Sequence, residues 1–417
     1  MISEVLELAS LIRRKSWSRA RLDELRRQKL QRLIHHAYAN VPYYRRLMDR
    51  VGVKPDDIRE PSDLIKLPIT TKSDLRRAGE DCLANGCGEL TVLHTSGHSG
   101  APFEVRMTPG EYRTRRLREF RMLIGVGVKP RDRLVLLGPM RTRPNRLHRR
   151  LGLYRMEVIP CTLPDEEQLR RLRLSKPDVL WAYPTVLETA LWRAGCGLRE
   201  LAQPRFLISS SEVMTPLFRR RLLAEMPEME IVNIYGSAEA ERIAAECSAR
   251  RGLHLEDDAV IVEILNGGSP ALLGQEGTVV LTCLDQLAMP LIRYEQGDIC
   301  RLRAEACGCR WATPVIDPPL GRNSDMITLP DGRKMSSQGL AVSLRHEMDL
   351  LQYRFVQERP DRIEAQLCFR NTPQPHKLDE LKKRMEEAVG NDVSFDIRVI
   401  PEMRFEGTKF KTFVSKL

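Results

Sequence analysis

Residues 179–239, VLWAYPTVLETALWRAGCGLRELAQPRFLISSSEVMTPLFRRRLLAEMPEMEIVNIYGSAE, set the fold expectation for the whole chain. Short apolar runs alternate here with longer segments whose apolar residues recur at helical spacing. The pattern predicts strands at Val179–Ala182, Phe206–Ser209 and Ile231–Ile234, and helices at Thr185–Ala194 and Thr215–Met226. Strands that are separated by helices of about 10–15 residues are typical of a mostly parallel sheet in a layered α/β body.

The alternation continues on both sides of this stretch. Upstream, the pattern predicts a helix at Pro109–Ile124 and a strand at Arg133–Leu137, and residues 1–60 have the spacing of a helical lead-in. Downstream, Val260–Ile264 and Thr278–Leu284 lie on either side of a Gly-Gly-Ser-Pro turn, which indicates an added antiparallel section.

After Asp325 the spacing changes to strand, helix, strand, strand, helix, strand, which is the order of a ferredoxin-like split motif. The predicted segments are a first hairpin of Met326–Leu329 with Arg333–Met335, a helix at Ser337–Met348, a second hairpin of Tyr353–Gln357 with Ile363–Phe369, a helix at His376–Val389 and a strand at Val393–Ile400. The sequence therefore predicts a large layered α/β domain with mixed sheets at residues 1–325 and a small ferredoxin-like α+β domain at 326–417.

Length and composition favour an enzyme with a sizeable core. The chain has 417 residues, of which 42% are hydrophobic and 29% charged, so it is long enough for two or three domains. No apolar run approaches the roughly 18 residues that a spanning helix needs, and no secretory signal is visible. We therefore expect a soluble cytoplasmic protein with no membrane partner, whose ten cysteines are reduced.

The net charge of +11 is a local feature. Residues 112–155 contain 14 basic residues against Glu119 and Asp132, so the rest of the chain is close to neutral. Guanidinium groups suit phosphate and carboxylate oxygens, which is compatible with a nucleotide tail or an acidic carrier protein, although such runs are usually solvated surface. The stretch lacks interleaved aromatic residues for base stacking, which argues against nucleic acid.

One cysteine pair has metal-ligand spacing. Cys307 and Cys309 flank a glycine and can converge on one ion, and Cys247 and His254 flank a short turn. Three thiolates and one imidazole would complete a tetrahedral zinc site. Because the two pairs are 53 residues apart, the spacing alone leaves open free thiols and a surface histidine.

Four short motifs carry chemistry. The Ser/Gly loop Thr95–Pro102 follows an apolar run, and its backbone N–H groups can approach phosphates, although it has no Walker A pattern. Tyr235-Gly236-Ser237-Ala238-Glu239 follows a predicted strand and presents an aromatic face and a carboxylate. Gly297-Asp298 forms a turn after an apolar stretch, and Gly407–Lys411 places lysines near a glycine.

In their order and spacing, these motifs resemble the adenylate-forming (acyl-activating) superfamily, and within it the phenylacetate–CoA ligase-like branch. The likeness covers almost the whole chain. The matching segments are Ala39–Tyr44, Leu67–Lys72, Thr95–Gly100, Tyr183-Pro184, Ser211-Glu212, Tyr235–Glu239, Gly252–His254, Pro290–Tyr294 with Gly297-Asp298, Gly321-Arg322 and Lys409–Lys416.

The resemblance implies a reaction in two steps. A carboxylate attacks the α-phosphorus of ATP to give an acyl adenylate, and a thiol, of coenzyme A or a carrier protein, then displaces AMP. The protein supplies only positioning and charge, which agrees with the absence of a Ser-His-Asp or Cys-His triad from the sequence.

The resemblance also implies site residues. The ATP phosphates would be held by Thr95, Ser96, Gly97, His98, Ser99 and Gly100. The adenine would lie against Tyr235, Gly236 and Ser237, with Ser211 and Glu212 at its edge. The ribose would be bound by Asp298 and Arg322. Glu239 would ligate Mg²⁺, and Lys409 would neutralise charge during adenylation. The small domain would be mobile about residues 321–325. A structural zinc ion would be held by Cys247, His254, Cys307 and Cys309. A homodimer is compatible with the family.

The chain departs from the branch at several positions. His98, Ser99 and Ala101 stand where threonines and a lysine are usual, Ala238 replaces a threonine, and residues 138–155 are rich in arginine instead of glycine and aromatic residues. We therefore expect an aryl or other biosynthetic acid in place of phenylacetate. The alternatives are an amide synthetase that transfers the acyl group to an amine, and a degenerate, non-catalytic nucleotide-binding member.

Overall fold

In the computed structural model, the described residues are 2–94, 103–138, 152–305, 307–309, 311–322, 326–390, 392–401, 403 and 411–417. They form two units, each built from two separate segments of the chain. The first unit holds Met1–Val128 and Ile234–Pro319, and the second holds Lys129–Asn233 and Leu320–Leu417. The predicted domain boundary at residue 325 divides the chain differently and stays a prediction.

A parallel sheet forms the centre of the second unit. Its strands pair in the order Arg155–Pro160, Arg133–Gly138, Val179–Ala182 and Phe206–Ser210, all parallel. Helices that cover it are Asp165–Ser175, Pro184–Ala194, Leu198–Leu201 and Pro216–Glu225. Every residue of Val179–Ala182 is buried, as expected for an apolar strand covered on both faces. The parallel α/β arrangement and its strands are therefore confirmed.

The strands of the first unit pair mostly antiparallel. Glu276–Cys283 pairs with Val260–Asn266 on one side and with Tyr294–Arg301 on the other, which confirms the predicted antiparallel section. Its further strands are Thr91–His94, Glu104–Met107, Glu241–Glu246, Leu253–Leu255, Ser269–Pro270 and Val315–Ile316, together with the end of Glu230–Ser237.

The predicted helical lead-in is confirmed, and its helices pack against other residues of the first unit. Its helices are Ile2–Arg14, Arg19–Asn40 and Pro42–Val51, with a 3-10 turn at Pro55–Asp57. After it follow the 3-10 turn Pro61–Lys66, the helix Lys72–Ala78 and the 3-10 turn Gly79–Cys82. Leu30, Leu33 and Ile34 are fully buried beside Ile292 and Leu284, so the lead-in belongs to the hydrophobic core of this unit. No helix in the described part of the chain combines the length and apolarity that a membrane crossing requires.

The C-terminal region has the predicted α+β character with a different strand set. Its four-stranded sheet has the order Ser394–Val399, Arg362–Phe369, Leu350–Arg359 and Phe413–Ser415. The last strand lies parallel to Leu350–Arg359. The hairpin of Met326–Thr328 and Lys334–Ser336 is a separate sheet. The buried Gln357 connects it to the four-stranded sheet, because its side-chain amide accepts from the Thr328 N–H and donates to the Thr328 carbonyl. The first hairpin is therefore not part of the four-stranded sheet, and the C-terminal strand Phe413–Ser415 forms one of its edges.

The predicted helix at Ser337–Met348 is shorter than expected. The structure has a helix at Ser337–Ala341 and a 3-10 turn at Val342–Leu344, whereas the second helix, Pro375–Val389, agrees with prediction. The Ser343 hydroxyl donates to the Leu340 carbonyl and competes with the helical ladder. Gly339 is also a weak helix former, so the segment ends early.

Part of the basic stretch lies inside the fold. Arg115, Arg118 and Arg121 of the helix Pro109–Gly125 are buried. Arg118 contacts Asp285, and Arg121 pairs with Asp258 at 2.8 Å. These charges balance acids of the same unit, so they are neither a solvated face nor available to an acidic partner. Residues 139–151 of the stretch lie outside the described part of the chain.

Glu188 should make the stability of the protein depend on pH. It lies on the helix Pro184–Ala194, 3.6 Å from Nη1 of Arg221, and burial raises its pKa to about 7 while Arg221 opposes the rise and Glu212 adds to it. A raised carboxyl pKa means that the folded state holds an extra proton. The stabilisation is full below the unfolded pKa of about 4.5 and is lost as pH rises through about 7.

We expect Glu188→Gln to remove this loss. Between pH 5 and 8, the free energy of unfolding of the wild type should fall by about 1–3 kcal/mol relative to the variant, measured by urea unfolding. Parallel pH profiles for the two proteins would contradict the prediction.

Candidate active site

The Tyr235–Glu239 motif lies on a hairpin. The strand Glu230–Ser237 runs into a turn and pairs with Glu241–Glu246, with a bulge between Tyr235 and Gly236. A Cβ at Gly236 would lie 1.9 Å from the Glu241 carbonyl oxygen, so glycine alone fits. Ser237 Oγ accepts from the Ala240 N–H at 3.1 Å and closes the turn. The motif therefore has a fixed backbone, and its strand is longer than the predicted Ile231–Ile234.

Two residues that the sequence assigned to the nucleotide lie side by side. The Tyr235 hydroxyl donates to Oδ2 of Asp298 at 2.6 Å. Asp298 lies on Tyr294–Arg301, a strand in a different sheet from that of Tyr235. The hydrogen bond fixes the orientation of a carboxylate that can accept from hydroxyl groups. The structure thus brings together two parts of the predicted nucleotide site that are 63 residues apart.

Glu239 is a buried carboxylate with polar neighbours. Its side chain is in the turn between the two strands and is 4% exposed. Oε1 accepts from the Tyr294 hydroxyl at 3.1 Å and lies 3.3 Å from Nζ of Lys72. A carboxylate oxygen suits a hard cation such as Mg²⁺, so the residue has the chemistry that its predicted role needs.

Sequence reasoning assigned no role to Lys72. The residue was part of the matching segment Leu67–Lys72, and it begins a helix capped by Thr71, whose hydroxyl accepts from the Asp74 N–H. Its side chain is one-third exposed. The signal was present as a motif lysine, but only the fold shows that it lies beside Glu239.

Ser211 and Glu212 lie in the second unit. Ser211 follows the strand Phe206–Ser210 with a φ of 68°, an uncommon backbone conformation that is often found at functional sites. Oε2 of Glu212 accepts from the Thr185 N–H at 3.1 Å and from the Thr185 hydroxyl at 2.5 Å. Glu212 therefore caps the helix that begins at Pro184. Arg322 is in the short strand Gly321–Arg322.

The predicted phosphate loop and catalytic lysine are outside the described residues. This applies to Thr95, Ser96, Gly97, His98, Ser99 and Gly100, and to Lys409. The strands Thr91–His94 and Glu104–Met107 that flank the loop pair antiparallel, with His94 opposite Glu104. The two ends of the loop are thus held together in the first unit.

The four predicted metal ligands form one cluster. The ligand atoms of Cys247, His254, Cys307 and Cys309 lie within 4.8 Å of one another. Sγ of Cys247 is 3.4 Å from Sγ of Cys307, and Sγ of Cys309 is 3.3 Å from Nε2 of His254. The structure therefore brings together four side chains whose two pairs are 53 residues apart in the sequence.

The surroundings of the cluster also suit a metal. Nδ1 of His254 is 3.2 Å from the Thr313 hydroxyl, which orients the ring with Nε2 toward the sulfur atoms. Burial raises the pKa of Cys247 to about 11 and lowers the pKa of His254. A cation would offset the cost of ionising these buried thiols.

The hairpin glutamate, the tyrosine–aspartate pair and the layered α/β fold agree with the class that the sequence motifs resemble, the adenylate-forming enzymes. The chain is 28% identical over 412 residues to the phenylacetate-coenzyme A ligase of Thermus thermophilus, covering 91% of this chain and 92% of the relative. It is 31% identical over 332 residues to that of Escherichia coli, covering 74% of each. The chain therefore belongs to the phenylacetate–coenzyme A ligase family. No protein-family model matches it.

Solved structures agree on the fold. A 2-hydroxyisobutyryl-CoA ligase in the postadenylation state has a TM-score of 0.83 at 19% identity, with 97% of this chain and 91% of that chain covered. An anthranilate CoA ligase in complex with anthranoyl-AMP has a TM-score of 0.59 at 14% identity, covering 78% and 66%. The protein is an AMP-forming acid–thiol ligase, which activates a carboxylic acid with ATP and transfers the acyl group to a thiol.

Proposed function

We propose that the protein converts an aryl or other biosynthetic carboxylic acid to its acyl adenylate and passes the acyl group to coenzyme A. The observation that carries the proposal is Glu239, a buried carboxylate on a rigid turn in the same unit as the Tyr235–Asp298 pair. The relatives of the chain that are named phenylacetate-coenzyme A ligases support coenzyme A as the acceptor.

The chemistry needs no protein nucleophile. A substrate carboxylate oxygen forms a bond to the α-phosphorus and pyrophosphate leaves; the thiol sulfur then bonds to the acyl carbon and AMP leaves. Tyr235 would lie against the adenine, and Asp298 would accept from the ribose hydroxyls. Glu239 would hold Mg²⁺, which supplies positive charge to the phosphate oxygens when bound. The protein's contribution is position and charge.

The C-terminal region would serve as a lid. Residues 326–417 would deliver Lys409 to the reacting carboxylate and α-phosphate, and would then turn about residues 321–325 to admit the thiol. Lids of this kind separate steps that need different surroundings. The parallel pairing of Phe413–Ser415 with Leu350–Arg359 supports the proposal, because it attaches the lysine segment to the small sheet.

The Cys/His cluster would hold a structural zinc ion. Four protein ligands fill a tetrahedral shell and leave no position for substrate, as in structural zinc sites. The three cysteines and His254 have the donor chemistry that zinc prefers, and the cluster is mostly buried. The ion would therefore stabilise the fold and take no part in the reaction.

The acid would differ from phenylacetate. The arginine-rich residues 138–155 occupy the segment that is rich in glycine and aromatic residues in phenylacetate ligases. Guanidinium groups favour acids that carry further oxygen or phosphate groups over a bare aromatic ring. A larger, polar acid fits this composition.

The experiment that tests the function measures carboxylate-dependent pyrophosphate exchange over a broad acid panel, followed by AMP release with the best acid. Coenzyme A is expected to accelerate AMP release at least about tenfold, because the thiol removes the tightly held adenylate. Glu239→Gln is the matched control and should lower exchange.

Three other outcomes would redirect the proposal. Acceleration by an added amine, with none by coenzyme A, would make the protein an amide synthetase. Acceleration by a phosphopantetheine-bearing carrier protein alone would replace coenzyme A as acceptor. Nucleotide binding without exchange for any acid would place the protein among non-catalytic members.

A further inference from the structure

The guanidinium of Arg115 faces the turn that carries Glu239. Arg115 lies in the middle of the helix Pro109–Gly125 and is 8% exposed. Its Nη2 donates to the Ala238 carbonyl at 2.9 Å and its Nη1 to the Glu239 carbonyl at 3.5 Å. Its Nε lies 3.4 Å from Oε2 of Glu241. All three nitrogen atoms of one buried side chain are thus directed at consecutive parts of a single turn.

The turn needs an external partner. Its flanking strands pair only as far as Ser237 and Glu241, so the carbonyls of Ala238 and Glu239 have no place in the ladder. Buried carbonyls without a partner are costly. Glu241 adds strain, because its φ of 62° is unusual for a residue other than glycine. The arginine satisfies the carbonyls and pairs with the strained residue.

A second contact strengthens this connection. One helical turn after Arg115, Glu119 accepts from Nη2 of Arg242 at 3.3 Å, again between the helix and the hairpin. The helix begins at a capping box of Thr108 and Glu111, so its first turn is fixed. Two charged contacts on one helix face therefore hold the start of the strand that follows the turn, at Glu241 and Arg242.

We propose that Arg115 is a positioning residue for Glu239, and that it fixes the turn so that the carboxylate holds the metal of the ATP complex. The inference rests on the proposed function of Glu239. Arg115 does not touch the nucleotide in this assignment; it acts through the backbone. Groups that orient a metal ligand from behind typically contribute about 10- to 100-fold to metal affinity.

The neighbouring buried arginine provides a matched control. Arg118 is on the same helix and is also 8% exposed, but it pairs with Asp285 and has no contact with the turn among the described residues. The test compares Arg115→Lys, Arg115→Met and Arg118→Lys with the wild type. Three quantities are measured: thermal unfolding, Mn²⁺ binding in the presence of ATP by electron paramagnetic resonance, and the Mg²⁺ dependence of pyrophosphate exchange.

Arg115→Met is expected to weaken Mn²⁺ binding about tenfold and to raise the Mg²⁺ concentration for half-maximal exchange by the same factor, with Arg115→Lys intermediate. Arg118→Lys should lower the unfolding temperature without changing metal binding. Equal metal affinity in Arg115→Lys, Arg118→Lys and the wild type would overturn the inference. If the wild type binds metal and ATP but catalyses no pyrophosphate exchange, the proposed function is wrong. The comparison of Mn²⁺ affinities among the variants would still decide the role of Arg115.

Discussion

Replacing Lys409 with alanine is expected to lower the rate of adenylate formation by on the order of 100-fold or more. During that step the substrate carboxylate approaches an α-phosphate of the same charge, and the ammonium group would neutralise both in the transition state. Loss of a single transition-state contact of this kind costs about 10²–10³ in rate. Carboxylate-dependent pyrophosphate exchange measures the step directly.

Lys411→Ala is the matched control for this variant. Lys411 has the same charge two residues further on, and its backbone carbonyl accepts from Nε of Arg354. It directly precedes the segment that enters the small sheet at Phe413. Exchange near the wild-type rate in Lys409→Ala, with a large loss in Lys411→Ala, would transfer the role to Lys411.

The second half-reaction tests the lid. Thiol attack on a preformed acyl adenylate does not need the adenylation lysine, so Lys409→Ala should slow it only a few-fold if residues 326–417 move between the two steps. Equal losses in both half-reactions would indicate that the segment stays in place throughout.

Local sequence patterns predicted the strands of the parallel sheet correctly. Val179–Ala182 and Phe206–Ser210 are short apolar runs, and such runs become buried parallel strands when helices separate them. The C-terminal sheet was harder, because its edge strand Phe413–Ser415 is only three residues long and pairs with a strand more than 50 residues earlier. Nothing in three residues encodes such a pairing.

The same distinction applies to the site. Tyr235, Glu239 and Asp298 lie in recognisable motifs, so the sequence could nominate them and the fold could join Tyr235 to Asp298. Lys72 lies in a matching segment as well, but neither its contact with Glu239 nor that of Arg115 with the turn could be predicted, since these contacts span well over 100 residues and depend on how helices pack on the hairpin. Buried arginines also resemble solvated ones in a charge count, which is why the sequence left open whether the basic stretch binds an acidic group or is a solvated surface.

Loss of the proposed zinc ion is the second large effect that we expect. The purified protein should contain one equivalent of zinc per chain, and Cys309→Ser should lower the free energy of unfolding by several kcal/mol. Structural zinc contributes binding free energy directly to folding, with apparent values of about 10–16 kcal/mol in small zinc-finger domains. A chain with its own hydrophobic cores should retain its fold and lose only part of this amount. Metal content by mass spectrometry and urea unfolding provide the measurements.

Cys196→Ser is the control for the chemical change itself. Cys196 and Cys309 are both partly buried cysteines, and Cys196 belongs to the second unit and is not a member of the cluster. The control should therefore keep its zinc and most of its stability. A zinc-free preparation with unchanged unfolding would show that the four side chains form a thiol cluster and no metal site.

Metal loss should also reach the active site through the sheet. His254 lies opposite Ala245 in the strand pair of Leu253–Leu255 and Glu241–Glu246, and the latter strand pairs with Tyr235 through Ala244. One strand therefore separates His254 of the proposed metal site from Tyr235 of the proposed nucleotide site. The turn that carries Glu239 leads into the strand Glu241–Glu246. If loss of the metal loosens this strand, Cys309→Ser should show weaker ATP-dependent exchange at temperatures where the protein is still folded. Full exchange activity in a folded, zinc-free variant would show that the cluster stabilises its own strands without supporting the hairpin.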